Sequence, residues 1–383
     1  MTISNFRRMT VASAALALSL AACGDDATAG AGDTGIELPT GGDSSGEDTA
    51  GADETATDGG VPNNCGASTF ELVHQPTNIV LVLDKSGSMV ENWWDHDGDP
   101  GTDFVTRWNS LHSSVRFITD QFDDGLNFGA VLFPAIDVPS NDFDIACRVD
   151  IEPNAAVAPG NGAAVLASLP PADTLDIHGG TPAGDGVTTA LNHLRSLDPE
   201  LPRAMILITD GAANCLSGAT DNAIFELYDE NLPALVAAAY THEDIPTYVV
   251  GIDIVDEIIQ YPADNPFVRL NEVAIAGGSP RPGQEKFYNA NDEDELRSAI
   301  SQVSSQIGCT IPLDEEPLQP DLLTIYIAGV EIPQVASCEG NPTGWRYTNP
   351  GGPYDEIELC ANSCDDLHGV GSLSATYNCI PQG

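Results

Sequence analysis

The sequence predicts an α/β protein. A doubly wound, mostly parallel six-stranded sheet occupies residues 65–309, and a small disulfide-stapled β-rich domain occupies residues 310–383. Three observations lead there. Unbroken runs of Val, Ile and Leu such as "NIVLVLD" and "RAMILITD" have no polar face. Such strands need cover on both sides, which a parallel sheet between two helical layers provides. The runs are separated by stretches whose apolar residues recur every three or four positions, as one face of a helix requires. After Cys309 the pattern changes to short alternating runs around turn signals.

Taken in order, "NIVLVLD" (78–84) is the first strand of the sheet, and a helix follows "GTDFVTRW". In it Trp108, Leu111, Val115, Ile118 and Phe122 are spaced 3, 4, 3 and 4. "LNFGAVLFP" is a strand stopped by Pro134, and a long Gly/Pro/Ala-rich loop comes next. "GGTPAGDGVTTALNHLRSL" carries a helix on Val187, Leu191 and Leu194. "RAMILITDG" is a buried strand, "NLPALVAAAYTH" a helix and "IPTYVVGI" a strand. "NPFVRLNEVAIAGG" is a helix closed by glycine, "KFYNA" a short strand, and "DEDELRSAISQVSSQI" a last helix. The acidic residues from Asp292 to Glu295 suit that helix's N-terminus. In the C-terminal region "LLTIYIAGVEIP", "GWRYTNPGGPYDEIELC" and "LSATYNC" are strand candidates, with a core thin enough to need disulfides.

The N-terminus reads as an export signal over residues 1–22. Arg7 and Arg8 precede an apolar stretch too short to span a bilayer, and small residues lead to Cys23. "LAAC" resembles a bacterial lipobox, which implies cleavage before Cys23 and lipid attachment to its thiol. Residues 24–61 hold ten acidic residues and no Lys or Arg among Gly, Ala, Thr and Ser. Such a segment buries too little apolar surface to offset its ordering entropy, so residues 23–64 are expected to be a lipidated, disordered acidic tether. A coil of that length extends roughly 30–40 Å. The expected location is the cell envelope, at the outer membrane or cell surface, with the membrane touched through the lipid alone.

The formal net charge is −45, with Lys85 and Lys286 the only lysines. That field repels nucleic acid and anionic membranes. Adaptation to a salty medium accounts for it as well as any cation-binding purpose. Beyond Cys23 eight cysteines remain, an even number that suits disulfides in an exported protein. Sequence leaves the connectivity open. The expected pairs are Cys65–Cys309 across the ends of the main domain, Cys147–Cys215 within it, and Cys338–Cys360 and Cys364–Cys379 in the tail.

Three separate segments place oxygen-bearing side chains at strand ends or helix starts. They are Asp84, Ser86 and Ser88 in "DKSGSM", Thr181 in "GGTPAG", and Asp210 in "LITDGAANC". Ligand sites in doubly wound sheets lie beyond the carboxyl ends of the strands, where these segments can converge. Carboxylates and hydroxyls are hard donors suited to Mg²⁺, Mn²⁺ or Ca²⁺. A Ser/Gly turn capped by an aspartate would explain the first motif but not all three. In this order and these contexts the residues resemble the von Willebrand factor A domain with its metal-ion-dependent adhesion site, over about residues 66–309. The resemblance implies a Rossmann-like fold. It further implies direct contacts to the ion from Ser86, Ser88 and Thr181, and direct or water-mediated ones from Asp84 and Asp210. The partner it implies is a protein or glycan offering a carboxylate to the ion.

"WWDHDGDPGTD" inserts beside this motif, with Asp95, Asp97, Asp99 and Asp103 interleaved with glycine. An EF-hand loop counted from Asp95 needs glycine sixth and glutamate twelfth, where this chain has Pro100 and Thr106. A second calcium loop and a solvated acidic loop over Trp93 and Trp94 are both open, the second favoured. Lys85 reads as a surface charge. No G-x-S-x-G elbow, zinc signature or Walker loop occurs. The function expected is non-enzymatic: cation-dependent binding at a cell surface. The alternatives are a structural envelope protein with a vestigial site, and a metal-assisted hydrolase, which lacks an evident base or nucleophile.

Overall fold

The computed structural model describes residues 68–377, apart from 74–75, 124, 139–141, 143–144, 314 and 339. The export signal, Cys23, the tether, Cys65 and Cys379 lie outside the described residues. Among the described residues no helix is long and apolar enough to cross a membrane.

In chain order the elements begin with β1 (Ser68–Val73), β2 (Thr77–Asp84), α1 (Ser88–Glu91), β3 (Trp93–Trp94), β4 (Val105–Thr106), α2 (Arg107–Phe122) and β5 (Leu126–Phe133). Then come β6 (Ala155–Ala158), α3 (Gly162–Ser168), α4 (Ala183–Arg195), β7 (Arg203–Thr209), α5 (Ala223–Glu226), α6 (Asn231–Glu243) and β8 (Thr247–Ile252). Next are α7 (Pro266–Ala276), β9 (Tyr288–Ala290), α8 (Glu293–Gly308) and β10 (Thr310–Pro312). The chain continues with β11 (Leu323–Ile327), β12 (Val330–Ile332), β13 (Trp345–Tyr347), β14 (Glu356–Leu359), α9 (Ala361–Val370) and β15 (Ser372–Tyr377).

The main sheet has six strands in the order β6-β5-β2-β7-β8-β9, all parallel except β6. Every residue of β2 is buried. Because side chains alternate across a strand, Ile79, Leu81 and Leu83 join one core with α2 and α8, while Val80 and Val82 join a second with α4, α6 and α7. Two buried faces are why the strand reads as an unbroken apolar run. Local chemistry sets the helix starts: Thr106 accepts from Asn109 N, Asn265 from Phe267 N and Val268 N, and Asp292 from Glu295 N.

The sixth strand comes from the expected Gly/Pro/Ala-rich loop. β6 runs antiparallel to β5 with an irregular register around Phe128 and Ala130. The residue between them is Gly129, and a Cβ there would lie 2.9 Å from the Ala155 carbonyl oxygen. Only glycine admits this approach. Ala-rich β6 has no periodic signal of its own, so the pairing is tertiary.

The small module departs from the expected domain boundary. β1, expected in the α/β domain, instead pairs antiparallel with β15 in the sheet β1-β15-β11-β12. β10, β14 and β13 form a second small sheet, and α9 covers their shared core, built on Ile325, Trp345, Ile357, Leu367 and Ala375. The module is thus assembled from both sides of the α/β domain.

Cys147 is bonded to Cys215, and Cys338 to Cys360, as expected. The other two expected pairs are corrected: Cys309 is bonded to Cys364, so neither Cys65–Cys309 nor Cys364–Cys379 forms. The physical reason is placement. Cys309 follows α8 directly and joins the core of the small module, where Cys364 on α9 is also buried.

Candidate metal centre

The site lies beyond the carboxyl ends of the central strands. β2 ends on Asp84 and β7 ends on Thr209, one residue before Asp210. Thr209 donates its hydroxyl to Asp84 Oδ2 at 2.5 Å, and the Ser86 backbone N–H donates to Asp84 Oδ1 at 2.8 Å. Ser86 Oγ and Ser88 Oγ lie 2.9 Å apart, and Ser88 donates to Asp210 Oδ1 at 2.7 Å. Four of the five expected donors therefore form one connected group. Thr181 lines the same cavity of about 670 Å³ as Ser86, Ser88 and Asp210.

Backbone hydrogen bonds hold the Thr181 segment in place. Gly87 N–H donates to the Gly179 carbonyl at 3.2 Å, tying it to the serine loop. Asn214 brackets Thr181: its Oδ1 accepts from Thr181 N at 2.7 Å, and its own N–H donates to the Thr181 carbonyl at 3.0 Å. Gly180 N–H donates to the Ala146 carbonyl at 3.0 Å. The bonded Cys147 and Cys215 are the chain neighbours of Ala146 and Asn214, so the disulfide cross-links the two segments that fix Thr181. A Cβ on Gly180 would lie 2.6 Å from Cys215 Sγ, which is why this segment is glycine-rich.

Electrostatics follow from burial. Asp84 is fully buried, and its pKa is pushed up to about 7, first by desolvation and then by the negative charge of Asp210. Hydrogen bonds from Thr209 and Ser86 partly offset this. A buried carboxylate facing a second carboxylate favours a proton or a cation beside it. The donor set fits a hard divalent ion: three hydroxyls, two carboxylates and no soft ligand. Among the described residues no group of three Asp, Glu, His or Cys side chains could hold a metal, so any ion here depends on the hydroxyls.

Two further charged residues complete the floor. Arg107, the first residue of α2, donates from Nη1 to Asp210 Oδ2 at 2.9 Å and from Nη2 to Asp253. Asp253 follows β8 and has φ of 52°. Sequence reading missed both, along with Asn214 and Thr209. In sequence, Arg107 is only a polar residue before the apolar Trp108, and Asp253 only a residue after a strand. Lys85, expected on the surface, is buried and ion-paired with Asp137.

In the acidic insertion, Asp97 and Asp99 are engaged by hydrogen bonds from their own loop. Asp97 Oδ1 accepts from Asp99 N at 3.0 Å and from the Thr102 hydroxyl at 2.8 Å, and Asp99 Oδ1 accepts from Gly101 N at 2.8 Å. Asp97 and Asp99 thus cap their own turns, and among the described residues no three acidic, His or Cys side chains are grouped to hold a metal. The insertion is an acidic loop anchored by the β3–β4 pair, with Trp94 buried and donating to Ser110 Oγ at 3.1 Å.

Fold and site together define a doubly wound α/β domain with oxygen side chains grouped beyond its central strands. No protein-family model and no curated protein matches the chain. Among solved structures it is similar to the pilus adhesin SpaC from Lactobacillus rhamnosus GG at 14% identity and a TM-score of 0.42, covering 81% of this chain and 40% of that one. The PilB minor pilin from Streptococcus sanguinis is 17% identical with a TM-score of 0.41, over 61% of this chain and 62% of that one. A von Willebrand factor type A protein from Catenulispora acidiphila is 13% identical with a TM-score of 0.40, over 82% of this chain and 66% of that one.

Proposed function

We propose that this protein binds a surface partner through a divalent cation. Asp84, Ser86, Ser88, Thr181 and Asp210 hold Mg²⁺, Mn²⁺ or Ca²⁺, and a protein or glycan partner offers a carboxylate to it. The observation that carries the reading is the linked set Ser86, Ser88 and Asp210 standing over buried Asp84. Hydroxyls aimed at a carboxylate pair beyond strand ends make a hard-donor cluster with too little positive charge of its own. Bound there, the ion supplies an outward position for a ligand oxygen. The residues around it do the rest. Asn214 and the Cys147–Cys215 bridge hold Thr181, and Thr209 orients Asp84.

The cavity rim favours a protein partner. Val255, Ile259 and Tyr261 line it from the segment between β8 and α7, and Val255 and Tyr261 are exposed. Arg269 braces that segment by pairing with Asp264, Glu230 and Glu272 while stacking over Tyr228. An apolar rim beside a charged centre suits an acidic residue flanked by apolar side chains. The lipid anchor and acidic tether expected at the N-terminus would hold the domain clear of a cell-envelope surface.

The test is calorimetric titration of the folded chain with Mn²⁺, followed by capture from cell-surface extract in Mg²⁺ or chelator. One ion per chain, lost in Asp84→Ala, and capture abolished by chelator are expected. Capture that survives chelator would sink the reading.

A further inference from the structure

We propose that Arg107 is a resident counter-charge that sets how tightly this site holds its ion. The inference rests on the cation-site reading above. Arg107 is held between two carboxylates at the site floor. Nη1 reaches Asp210 Oδ2 at 2.9 Å, and Nη2 pairs with Asp253. Its side chain is 12% exposed, and that of Asp210 is wholly buried. The guanidinium therefore stays close to the proposed ion ligand in a poorly screened setting.

Charge counting gives the consequence. Asp84, Asp210 and Asp253 against Arg107 leave two negative charges in excess when the carboxylates are ionised, which one divalent ion balances. Glu91 and His178 also line this cavity. Geometry assigns the two oxygens of Asp210 different duties. Oδ1 accepts from Ser88 and faces the donor group, while Oδ2 is bonded to Arg107. Arg107 thus draws electron density from a proposed ligand and repels the ion, and Asp253 offsets part of that repulsion. The arrangement favours a weaker, exchangeable ion over a permanently held one.

This is a positioning role with opposite signs for the two partners. Arg107→Gln removes a positive charge bonded to Asp210, a proposed ion ligand, so Mn²⁺ affinity should rise about tenfold or more. Asp253→Asn leaves Arg107 to repel without its offset, so affinity should fall by about tenfold. Arg107→Lys keeps the charge and should remain near wild type. A purely structural role would weaken binding in both variants, because each breaks the same ion pair.

The experiment is Mn²⁺ titration of the full chain and the three variants by calorimetry, with circular dichroism as the check on folding. Tighter binding in Arg107→Gln together with weaker binding in Asp253→Asn supports the assignment. Equal or weaker binding in a folded Arg107→Gln overturns it. If that variant does not fold, unchanged or tighter binding in Asp253→Asn, whose side chain is partly exposed, overturns it instead. A wild-type chain that binds no Mn²⁺ defeats the cation-site reading itself, an outcome distinct from equal affinities across the series.

Discussion

Thr209 and Asp84, the last residues of two adjacent parallel strands, are joined by a 2.5 Å hydrogen bond from the threonine hydroxyl to Oδ2. Both are buried. That bond restrains the carboxylate and opposes the rise in its pKa, yet desolvation and Asp210 win.

A pH dependence follows from this balance. The Asp84 pKa lies near 7 in the folded chain against 3.8 for the free side chain. The folded state therefore binds the proton more tightly than the unfolded state. Its contribution to stability is fully present below the unfolded value and is lost as pH rises through about 7. In chelator, wild type should lose stability between pH 5 and pH 8 relative to Asp84→Asn, which cannot titrate. Denaturant melts at several pH values check this. Parallel curves for the two proteins would count against the buried-pair account.

Ser88 links Ser86 to Asp210, so its hydroxyl serves both the fold and the site. Ser88→Ala leaves Asp210 Oδ1 without that donor and should cost about 1–2 kcal/mol of stability. It should also weaken Mn²⁺ binding by at least about tenfold, since a hard ligand is lost. Thermal melts and titration measure the two effects separately. A stability loss with unchanged affinity would remove Ser88 from the ligand set.

The Cys147–Cys215 bond closes a loop with a sequence separation of 68. The chain-entropy view puts its removal at about 4 kcal/mol. Because it also joins the neighbours of Ala146 and Asn214, the double alanine variant should lose Mn²⁺ affinity even at temperatures where it remains folded. Unaltered affinity in the folded variant would show that Thr181 needs no such brace.

Trp345 is 1% exposed in the core of the small module. Trp345→Ala should cost about 3–5 kcal/mol there. Hydrogen exchange should quicken in β11, β14 and β15 while Mn²⁺ affinity at the α/β site stays at the wild-type value. A parallel loss of affinity would show that the module supports the site.

Asp97 and Asp99 cap their own turn. The double Asn variant should therefore bind the same number of calcium ions as wild type, measured by calorimetry. One ion fewer would restore the insertion as a site.

Sequence by itself determined five of the six strands of the main sheet, its long helices and the five candidate ion ligands. Burial on both faces writes a continuous apolar run, and burial on one helix face writes a period of three to four. Both are local signals, as β2 and α2 show. The ligands were legible because strand ends carry them in short motifs. What only the tertiary structure decided was pairing. β1 crosses to β15, β6 closes the sheet edge, and Cys309 meets Cys364. Arg107 and Asp253 meet across 146 residues at the site floor. No local period encodes such partners, because an ion pair or a ladder depends on where the packed layers bring two distant segments together. The group in "DKSGSM" could therefore be read from the chain, whereas the charge set against it became visible only in the fold.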